Sequence, residues 1–376
     1  MKSCLIIAGE KSGEEHALSF FKDLKKSNPD VSFFGVGGDE LSREGLELLF
    51  HLNDFSSWGY TEVISKIPFY KKAMESIVSE CIKRNTKVAI LVDFQSFNLK
   101  LAQKLNAIGI QVQYYVAPQA WAWKEYRVKK LAKCAHTLYT IIPFEKKWFS
   151  ERGVKKIIGI EHPQLTHHKL ELEKFKRSEF NSKKINLLLL PGSRNFEVDQ
   201  LLPDFIEAVK LLKKEINISL SIVKSSSVDS KLYTNYDKYF DVIFGNEDLV
   251  QAIERADFAI AASGTVTLTC ALFELPTVVC YRSSHLNYFI YETLVSYKGP
   301  ISLANIVHNR SVFPELIQNA VTPFNIATNI KKWYNQKDEY LNLLNELSTT
   351  KTLVKGEEIK VSEYISSIIE KVYGRN

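Results

Sequence analysis

The sequence predicts an α/β protein of two doubly wound domains that face one another across a cleft. A short apolar strand, Cys4–Ala8, runs directly into a loop that contains Gly9 and Gly13. The same arrangement returns halfway along the chain, where the apolar run 185–190 leads into Pro191-Gly192-Ser193-Arg194. A buried strand followed by a glycine turn and a helix is the phosphate-binding unit of parallel α/β sheets. One such unit in each half of the chain indicates two domains.

Strands and helical stretches alternate along both halves, which is the pattern of a parallel sheet covered by helices. In the first half the strands are predicted near Cys4–Ala8, Ser32–Gly35, Val88–Val92, Val112–Val116, Thr137–Ile141 and Lys156–Ile158. In the second half they are predicted near Ile185–Leu190, Ile218–Val223, Val242–Phe244, Phe258–Ala261 and Thr277–Cys280. After Pro323 the pattern is only helical.

The domain boundaries follow from polar stretches. Residues 164–184 are predicted to join the domains, and a last helix near 360–372 is predicted to pack back onto the first. We therefore expect a first domain of residues 1–165 plus 350–376 and a second of residues 166–349.

Composition narrows the class of protein. A chain of 376 residues, 45% hydrophobic and 24% charged, suits two soluble domains. No apolar run approaches the roughly 20 residues of a membrane span, and the first residues lack a signal-peptide pattern, so we expect a cytoplasmic protein. The five cysteines are isolated, which favours buried thiols over disulfides. No metal-ligand spacing of histidines and no nucleic-acid motif are present, so neither partner is expected.

Two strand ends in the second half suit a diphosphate. Ser263, Gly264 and Thr265 end one strand and open a helix, where N–H groups and the helix dipole stabilise an anion. A plain helix cap is the alternative for this segment. Arg194 offers a fixed cation in place of the metal ion that many phosphate sites use. No aspartate cluster and no Walker lysine accompany them, which argues against a P-loop NTPase.

Two carboxylates stand at strand ends in the first half. Asp93 lies beside Phe94 and Phe97, whose partial desolvation can raise the pKa of a carboxyl and suit it to accept a proton from a sugar hydroxyl. A structural cap on the following helix is an equally open interpretation of Asp93. Glu10, between two glycines, is a similar candidate, with an exposed loop acid as the alternative.

A different kind of surface is predicted within residues 60–74, where apolar and aromatic residues interleave with lysines. The apolar members are Ile64, Ile67, Phe69 and Tyr70. Such a segment can lie in a bilayer interface, and packing onto the domain core is the alternative. The basic run 124–133, just after Trp123, is either a solvated helix face or a contact for a phosphate or membrane.

Short motifs stand in a characteristic order from Ala8 to about Gln318. They are Ala8–Gly13, Gly35–Gly38, Gly59–Val63, Val92–Asp93, Phe97–Leu99, Tyr115–Lys124, Pro143–Glu145, Leu190–Arg194, Glu197–Val198, Ala262–Thr265, Asn305–Ile306 and Pro314–Gln318. In this order they resemble the lipid-A-disaccharide synthase family, inverting glycosyltransferases with a GT-B fold of two Rossmann-like domains. Each motif alone is weak, whereas the ordered set is specific.

The resemblance implies a reaction and a place. Family members join UDP-2,3-diacylglucosamine to 2,3-diacylglucosamine 1-phosphate, known as lipid X, and give lipid A disaccharide 1-phosphate and UDP. They use no metal and no other cofactor. They act as peripheral proteins at the cytoplasmic leaflet of the inner membrane, with the region of Ile64–Tyr70 as the membrane contact. They can form homodimers through the C-terminal region.

The resemblance also assigns roles to residues of this chain. Asp93 is expected to be the general base and Glu10 a second catalytic carboxylate, with Glu10 and Ser12 lining the first-domain side of the cleft. The UDP-sugar is expected to be bound by Ser193, Arg194, Ser263, Gly264, Thr265, Asn305, Glu315 and Ser12.

Several positions depart from the family pattern and indicate a divergent subgroup. Thr269 stands where a ribose-binding glutamate is usual, and Ser96 replaces a second carboxylate after Asp93. Glu14 replaces an aspartate, Thr166 replaces another, and Ala304 replaces a proline. Donor or acceptor choice is therefore open.

Two other functions compete with glycosyl transfer. A UDP-sugar 2-epimerase can share the two-domain layout, but it needs further acid/base groups over the sugar ring and no lipid surface. A non-catalytic nucleotide or lipid binder is motivated by Thr269 and Ser96, and the retained Asp93 and Arg194 argue against it.

Overall fold

A computed structural model describes residues 2–55, 66–283 and 298–374 of the chain. The chain folds into two compact units, Met1–Pro163 with Gly356–Asn376, and Gln164–Lys355. Each unit contains one parallel β-sheet with helices between successive strands. The predicted fold class, α/β with two Rossmann-like doubly wound domains, is confirmed.

The first unit is built on a seven-stranded parallel sheet of order β3-β2-β1-β4-β5-β6-β7. Its strands are β1 Lys2–Ala8, β2 Val31–Gly37, β3 Glu47–His51, β4 Val88–Val92, β5 Gln111–Tyr115, β6 Ala135–Thr140 and β7 Ile157–Gly159. Its helices are α1 Lys11–Ser27, α2 Asp39–Arg43, α3 Leu52–Phe55, α4 Ile67–Lys83, α5 Gln95–Ala107, α6 Arg127–Cys134 and α7 Glu145–Ser150. A C-terminal helix, α18 Val361–Tyr373, also belongs to this unit.

The sheet of the first unit is buried on both faces. Leu5 and Ile7 of β1 belong to one hydrophobic cluster, whereas Cys4 and Ile6 belong to another. Since side chains alternate along a strand, the two clusters lie on opposite faces of the sheet. Helix α18 covers one of them beside α1, where Asn28 Nδ2 donates to Ser366 Oγ over 2.7 Å.

The second unit has a six-stranded parallel sheet of order β10-β9-β8-β11-β12-β13. Its strands are β8 Ile185–Leu190, β9 Ile218–Val223, β10 Val242–Phe244, β11 Phe258–Ala262, β12 Thr277–Tyr281 and β13 Glu315–Ile317. Its helices are α8 Pro163–His167, α9 Lys169–Lys174, α10 Asn195–Leu212, α11 Lys231–Thr234, α12 Leu249–Arg255, α13 Thr265–Leu272, α14 Leu303–His308, α15 Pro323–Asn335, α16 Lys337–Ser348 and α17 Thr350–Leu353, with short 3-10 turns at Asp237–Tyr239, Asn246–Asp248 and Gln318–Ala320. Pro163, the first residue of α8, belongs to the first unit.

Strand order fixes where each unit offers a crevice. In the first unit β1 lies between β2 and β4, so the loops after β1 and β4 leave the sheet in opposite directions. In the second unit β8 lies between β9 and β11 in the same way. Ligands of open α/β sheets bind at such switch points, outside the carboxyl ends of the strands.

The predicted state of the cysteines is confirmed, because Cys4, Cys81, Cys134, Cys270 and Cys280 are all free and buried. Within residues 2–55, 66–283 and 298–374, no helix combines the length and the apolar character needed to cross a bilayer.

Candidate active site

Asp93 occupies an unusual backbone conformation at the end of β4. Asp93 and Phe94 both have φ of 47°, a left-handed conformation that costs about 1–3 kcal/mol for a residue other than glycine. The surrounding bonds hold this turn in place. The Asp93 amide donates to the Tyr115 carbonyl over 2.9 Å, and Asn98 Nδ2 donates to the Asp93 carbonyl over 2.8 Å. Such strain is typical of functional sites.

The side chain of Asp93 does not cap helix α5. Helix α5 begins at Gln95 after Phe94, and no side chain caps it. The Asp93 carboxylate instead accepts a hydrogen bond over 3.3 Å from Ser12 Oγ, in the first turn of α1, the helix that follows the neighbouring strand β1. The alternative interpretation of Asp93 as a helix cap is therefore wrong.

Glu10 lies beside the same carboxylate. It occupies the position before α1, and its side chain makes no cap bond. Partial burial, and secondly the negative charge of Asp93, raise the pKa of the Glu10 carboxyl. The structure thus brings Glu10, Ser12 and Asp93 together at the switch point of the first unit.

Gly9 permits this close arrangement. A Cβ atom on Gly9 would lie 2.6 Å from the ring of Phe94, closer than two carbon atoms approach. The loop after β1 and the turn after β4 therefore pack against one another only because residue 9 has no side chain.

In the second unit, the loop after β8 presents Arg194 to solvent. Arg194 precedes α10, and its side chain is 81% exposed. Glu197 accepts hydrogen bonds from the Ser193 and Arg194 amides, over 3.0 and 3.3 Å, and its other oxygen pairs with Arg194 Nη1 over 3.1 Å. Exposed ion pairs of this kind contribute little stability, so the guanidinium is able to exchange Glu197 for a phosphate.

The adjacent strand β11 ends at the second predicted phosphate-binding segment, which consists of Ser263, Gly264 and Thr265. Leu190 of β8 pairs with Ala261 of β11, so the two loops leave neighbouring strands. Gly264 and Thr265 are exposed at the start of α13, and no side chain caps this helix. The plain-cap interpretation is therefore wrong, and the first N–H groups of α13 are available to an anion. Ser263 Oγ is directed elsewhere and donates to the Ile301 carbonyl over 3.3 Å.

In the second unit Asn305 is buried and Glu315 is half-buried. Asn305 Nδ2 donates to the Phe313 carbonyl and to Glu315 Oε1, each over 2.8 Å, and Asn305 Oδ1 accepts from the Val312 and Phe313 amides. Glu315 also accepts from the Ile301 and Ser302 amides. Direct contact of either residue with UDP stays a prediction, and in this structure both shape the 301–302 segment that Ser263 contacts.

Thr269 offers no substitute for the ribose-binding acid. Its side chain is buried, and its hydroxyl donates to Gln164 Oε1 over 2.9 Å. Where the resemblance implies a ribose-binding acid, this chain therefore has a buried hydroxyl that is bonded within the second unit.

The predicted membrane segment divides into two parts. Ile64 falls outside the described residues, and Ile67 is 56% exposed at the start of α4. Phe69 and Tyr70 are half-buried in an aromatic cluster with Phe55, where the Tyr70 hydroxyl donates to the Phe55 carbonyl over 2.9 Å. For Phe69 and Tyr70 the alternative, packing onto the core, describes their contacts.

Two further groups of the first unit were not predicted as site residues. His16 lies on α1 one turn after Ser12, with its ring centroid 6.3 Å from that of Tyr115. Glu145 accepts hydrogen bonds from Trp121 Nε1 and the Ile142 amide, and its burial raises the pKa of its carboxyl to about 7. The four-residue spacing of Ser12 and His16 was the one available signal, and nothing in the sequence identified the burial of Glu145.

The part of the chain that the structure describes contains no cluster of side chains that could bind a metal ion. No three His, Cys, Asp or Glu side chains among those residues are placed to hold a metal ion.

Comparison with known proteins identifies the fold and then the family. The calicheamicin glycosyltransferase superposes with a TM-score of 0.58 at 8% identity, covering 100% of both chains. A UDP-GlcNAc 2-epimerase from Neisseria meningitidis, bound to UDP-GlcNAc, superposes with a TM-score of 0.57 at 12% identity, covering 99% of this chain and 100% of the other. At such identities these likenesses show the fold alone. The fold is the GT-B type, which is built from two Rossmann-like units.

The family is defined by sequence. A family model described as lipid-A-disaccharide synthetase matches residues 4–370. A lipid-A-disaccharide synthase from Myxococcus xanthus is 34% identical over 333 residues, which is 87% of each protein. Another from Nitrosococcus oceani is 34% identical over 359 residues, 93% of this chain and 88% of that one. The chain belongs to the lipid-A-disaccharide synthase family, and the predicted enzyme class, a UDP-dependent glycosyltransferase of lipid A biosynthesis, is confirmed.

Proposed function

We propose that the protein transfers 2,3-diacylglucosamine from UDP to the 6-hydroxyl of 2,3-diacylglucosamine 1-phosphate, with inversion and without a metal ion. The products are lipid A disaccharide 1-phosphate and UDP. Membership of the family supports the reaction, and the Asp93 carboxylate, held at a switch point by a strained turn, is the observation that carries the mechanism.

Asp93 supplies the base in this proposal. In an inverting transfer the acceptor hydroxyl attacks the anomeric carbon from the side opposite the diphosphate, and it loses its proton as the new C–O bond forms. A carboxylate positioned for that proton contributes typically 10²–10⁴-fold to the rate. The Ser12 hydroxyl donates to one carboxylate oxygen, Oδ2, and so orients the other towards the acceptor.

The second unit stabilises the leaving group. Negative charge grows on the diphosphate as its bond to the anomeric carbon breaks. Arg194 is a permanent cation that pairs well with phosphate oxygens, and the uncapped start of α13 adds N–H donors. These groups perform the work for which other phosphate-transfer sites use a divalent cation.

The lipid substrates call for contact with a membrane, and we propose peripheral association through the first unit at the inner membrane. Trp123 and Tyr126 are 46% and 57% exposed ahead of α6, and Ile67 is exposed at the start of α4. Lys129 and Lys130 are exposed on α6, which contains no acidic residue. Aromatic side chains beside lysines suit the headgroup region of an anionic bilayer.

Release of UDP tests the proposal. Purified protein with UDP-2,3-diacylglucosamine should release UDP only when the lipid monosaccharide phosphate is added, and an excess of EDTA should leave the rate unchanged. Release without an acceptor, or interconversion of the UDP-sugar with its 2-epimer, would support the epimerase instead. Binding of UDP without any turnover would support a non-catalytic binder.

A further inference from the structure

His16 is placed next to the proposed base by three elements. On α1 it lies four residues after Ser12, so the two side chains share one face of the helix. Ser12 contacts the Asp93 carboxylate. The His16 ring lies against Tyr115, whose carbonyl accepts the Asp93 amide hydrogen bond. Helix α1, the turn after β4 and the end of β5 thus meet around His16 and Asp93.

One ring nitrogen of His16 makes no hydrogen bond in the described part of the chain. This nitrogen, Nδ1, is shielded from solvent. A buried nitrogen left unpaired costs about 1–3 kcal/mol, which a purely structural histidine would recover through a bond to a neighbour. Such a group is available for a proton.

The surroundings keep this imidazole neutral near pH 7. Burial lowers the pKa of His16, while the charges of Asp93 and then Glu15 act in the opposite direction. Among the residues that the structure describes, His162 is a second basic group close by, and burial lowers its pKa to about 4, so it carries no competing proton near pH 7. The titratable groups around the His16 ring are Glu15 on α1, Asp93 after β4, Tyr115 on β5 and His162 before α8.

We propose that His16 is a relay residue, which acts through Asp93 and accepts the proton that Asp93 removes from the acceptor hydroxyl. The inference rests on the proposed glycosyl transfer. The hydroxyl O–H bond breaks, its oxygen bonds to the anomeric carbon, and the bond from that carbon to the diphosphate breaks with its electron pair leaving on UDP. The proton passes to Asp93, then to the His16 imidazole, and finally to water.

The relay has a chemical rationale. Because the His16 imidazole is neutral near pH 7, it has a nitrogen lone pair that can accept a proton from a neighbouring carboxyl group. Asp93 becomes a carboxylate again before the next acceptor binds. His16 itself need not touch the substrate.

The test compares His16→Gln with His136→Gln, an exposed histidine on β6 of the same unit. We expect kcat of His16→Gln to fall roughly 10–100-fold, less than the 10²–10⁴-fold typical of a base that touches the substrate, because His16 acts through Asp93, and KM for the UDP-sugar should be little changed. The wild-type rate should fall as pH drops through the pKa of His16, because a protonated imidazole accepts no proton. That limb of the pH profile should be absent from His16→Gln. Imidazole in the buffer should partly restore His16→Ala.

Other outcomes overturn the relay. If His16→Gln matches wild type and His136→Gln in kcat and pH profile, His16 carries no proton. If His16→Gln is folded and slow but keeps the wild-type pH profile, and imidazole does not rescue His16→Ala, then the role of His16 is structural and the relay is wrong. If wild type and His136→Gln also release no UDP, the glycosyl transfer itself fails, which is distinct from a defect confined to the His16 variants.

Discussion

At the scale of single residues, the account depends on the Asp93 carboxylate. Asp93→Asn removes the base but keeps the size of the side chain and the turn. We expect kcat to fall at least ~10²-fold, the lower limit for a positioned general base. The measurement is UDP release under saturating substrates, and the control is Asp23→Asn, an exposed aspartate on α1. An unchanged rate in folded Asp93→Asn would remove the base from the mechanism.

Arg194 is predicted to act on the donor rather than on stability. Because its side chain is 81% exposed, Arg194→Ala should unfold at the same urea concentration as wild type. Loss of a charged hydrogen bond, about 1.5–3 kcal/mol, should lower kcat/KM for the UDP-sugar roughly 10–150-fold. Arg194→Lys should recover part of the loss, since it keeps the charge but not the planar fork. Arg255→Ala, an exposed arginine of the same unit, is the control, and equal kinetics of both alanine variants would contradict the assignment.

At the scale of elements, Glu145 links the start of α7 to the segment that contains Trp121. Its carboxyl has a folded pKa of about 7, above the ordinary 4.5, so between these values the unfolded chain loses the proton first. The free energy of unfolding should therefore fall as pH rises through this window, by about 3 kcal/mol at 1.36 kcal/mol per unit.

The variant Glu145→Gln should lack that loss. Relative to wild type, its unfolding free energy should rise by up to about 3 kcal/mol between pH 4.5 and pH 8, measured by urea unfolding. Glu75→Gln, at an exposed glutamate of the same unit, sets the baseline. A constant difference between Glu145→Gln and wild type at all pH values would show that Glu145 does not titrate in this window.

Helix α6 is predicted to contact the membrane through its exposed lysines. Replacing Lys129 and Lys130 by Glu should weaken sedimentation with vesicles that contain anionic phospholipid at least ~10-fold, since each lysine near such a surface contributes about 1 kcal/mol. Vesicles of phosphatidylcholine alone should bind weakly in every case. The control reverses Lys213 and Lys214, two exposed lysines of the second unit. Equal binding of both double variants would exclude α6 as the contact.

Sequence patterns predicted most elements for a physical reason, and they missed some for another. Central strands such as Ile185–Leu190 are buried on both faces and show as continuous apolar runs. The edge strands β3 and β13 were not predicted, because they are half-exposed and β13 has only three residues. Their patterns resemble those of loops.

The site residues also divide into those that a sequence pattern predicts and those whose surroundings it does not show. Ser12, Asp93, Arg194, Gly264 and Thr265 were predicted from their positions after strands, and the structure places each at a switch point. The internal roles of Asn305 and Glu315 arise from hydrogen bonds to residues 301–313, which a linear pattern does not show. The neighbourhood of His16 and Asp93 likewise depends on the pairing of β1 with β4, residues 80 or more apart in the chain.

At the scale of the whole molecule, function is divided between two units of one fold type. The first unit supplies carboxylates, a histidine and an exposed aromatic and basic surface. The second contains an exposed cation and an uncapped helix start, and Thr269 is buried at the position where the resemblance implies a ribose-binding acid. The predicted homodimer concerns this scale too, and it stays a prediction.

The most direct test of the central claim is mass spectrometry of the product that purified protein forms from UDP-2,3-diacylglucosamine and 2,3-diacylglucosamine 1-phosphate. The account predicts a disaccharide 1-phosphate whose mass equals that of the two substrates less UDP, formed in equal amount with UDP. Recovery of both substrates unchanged, or of a UDP-sugar altered only in configuration, would contradict it.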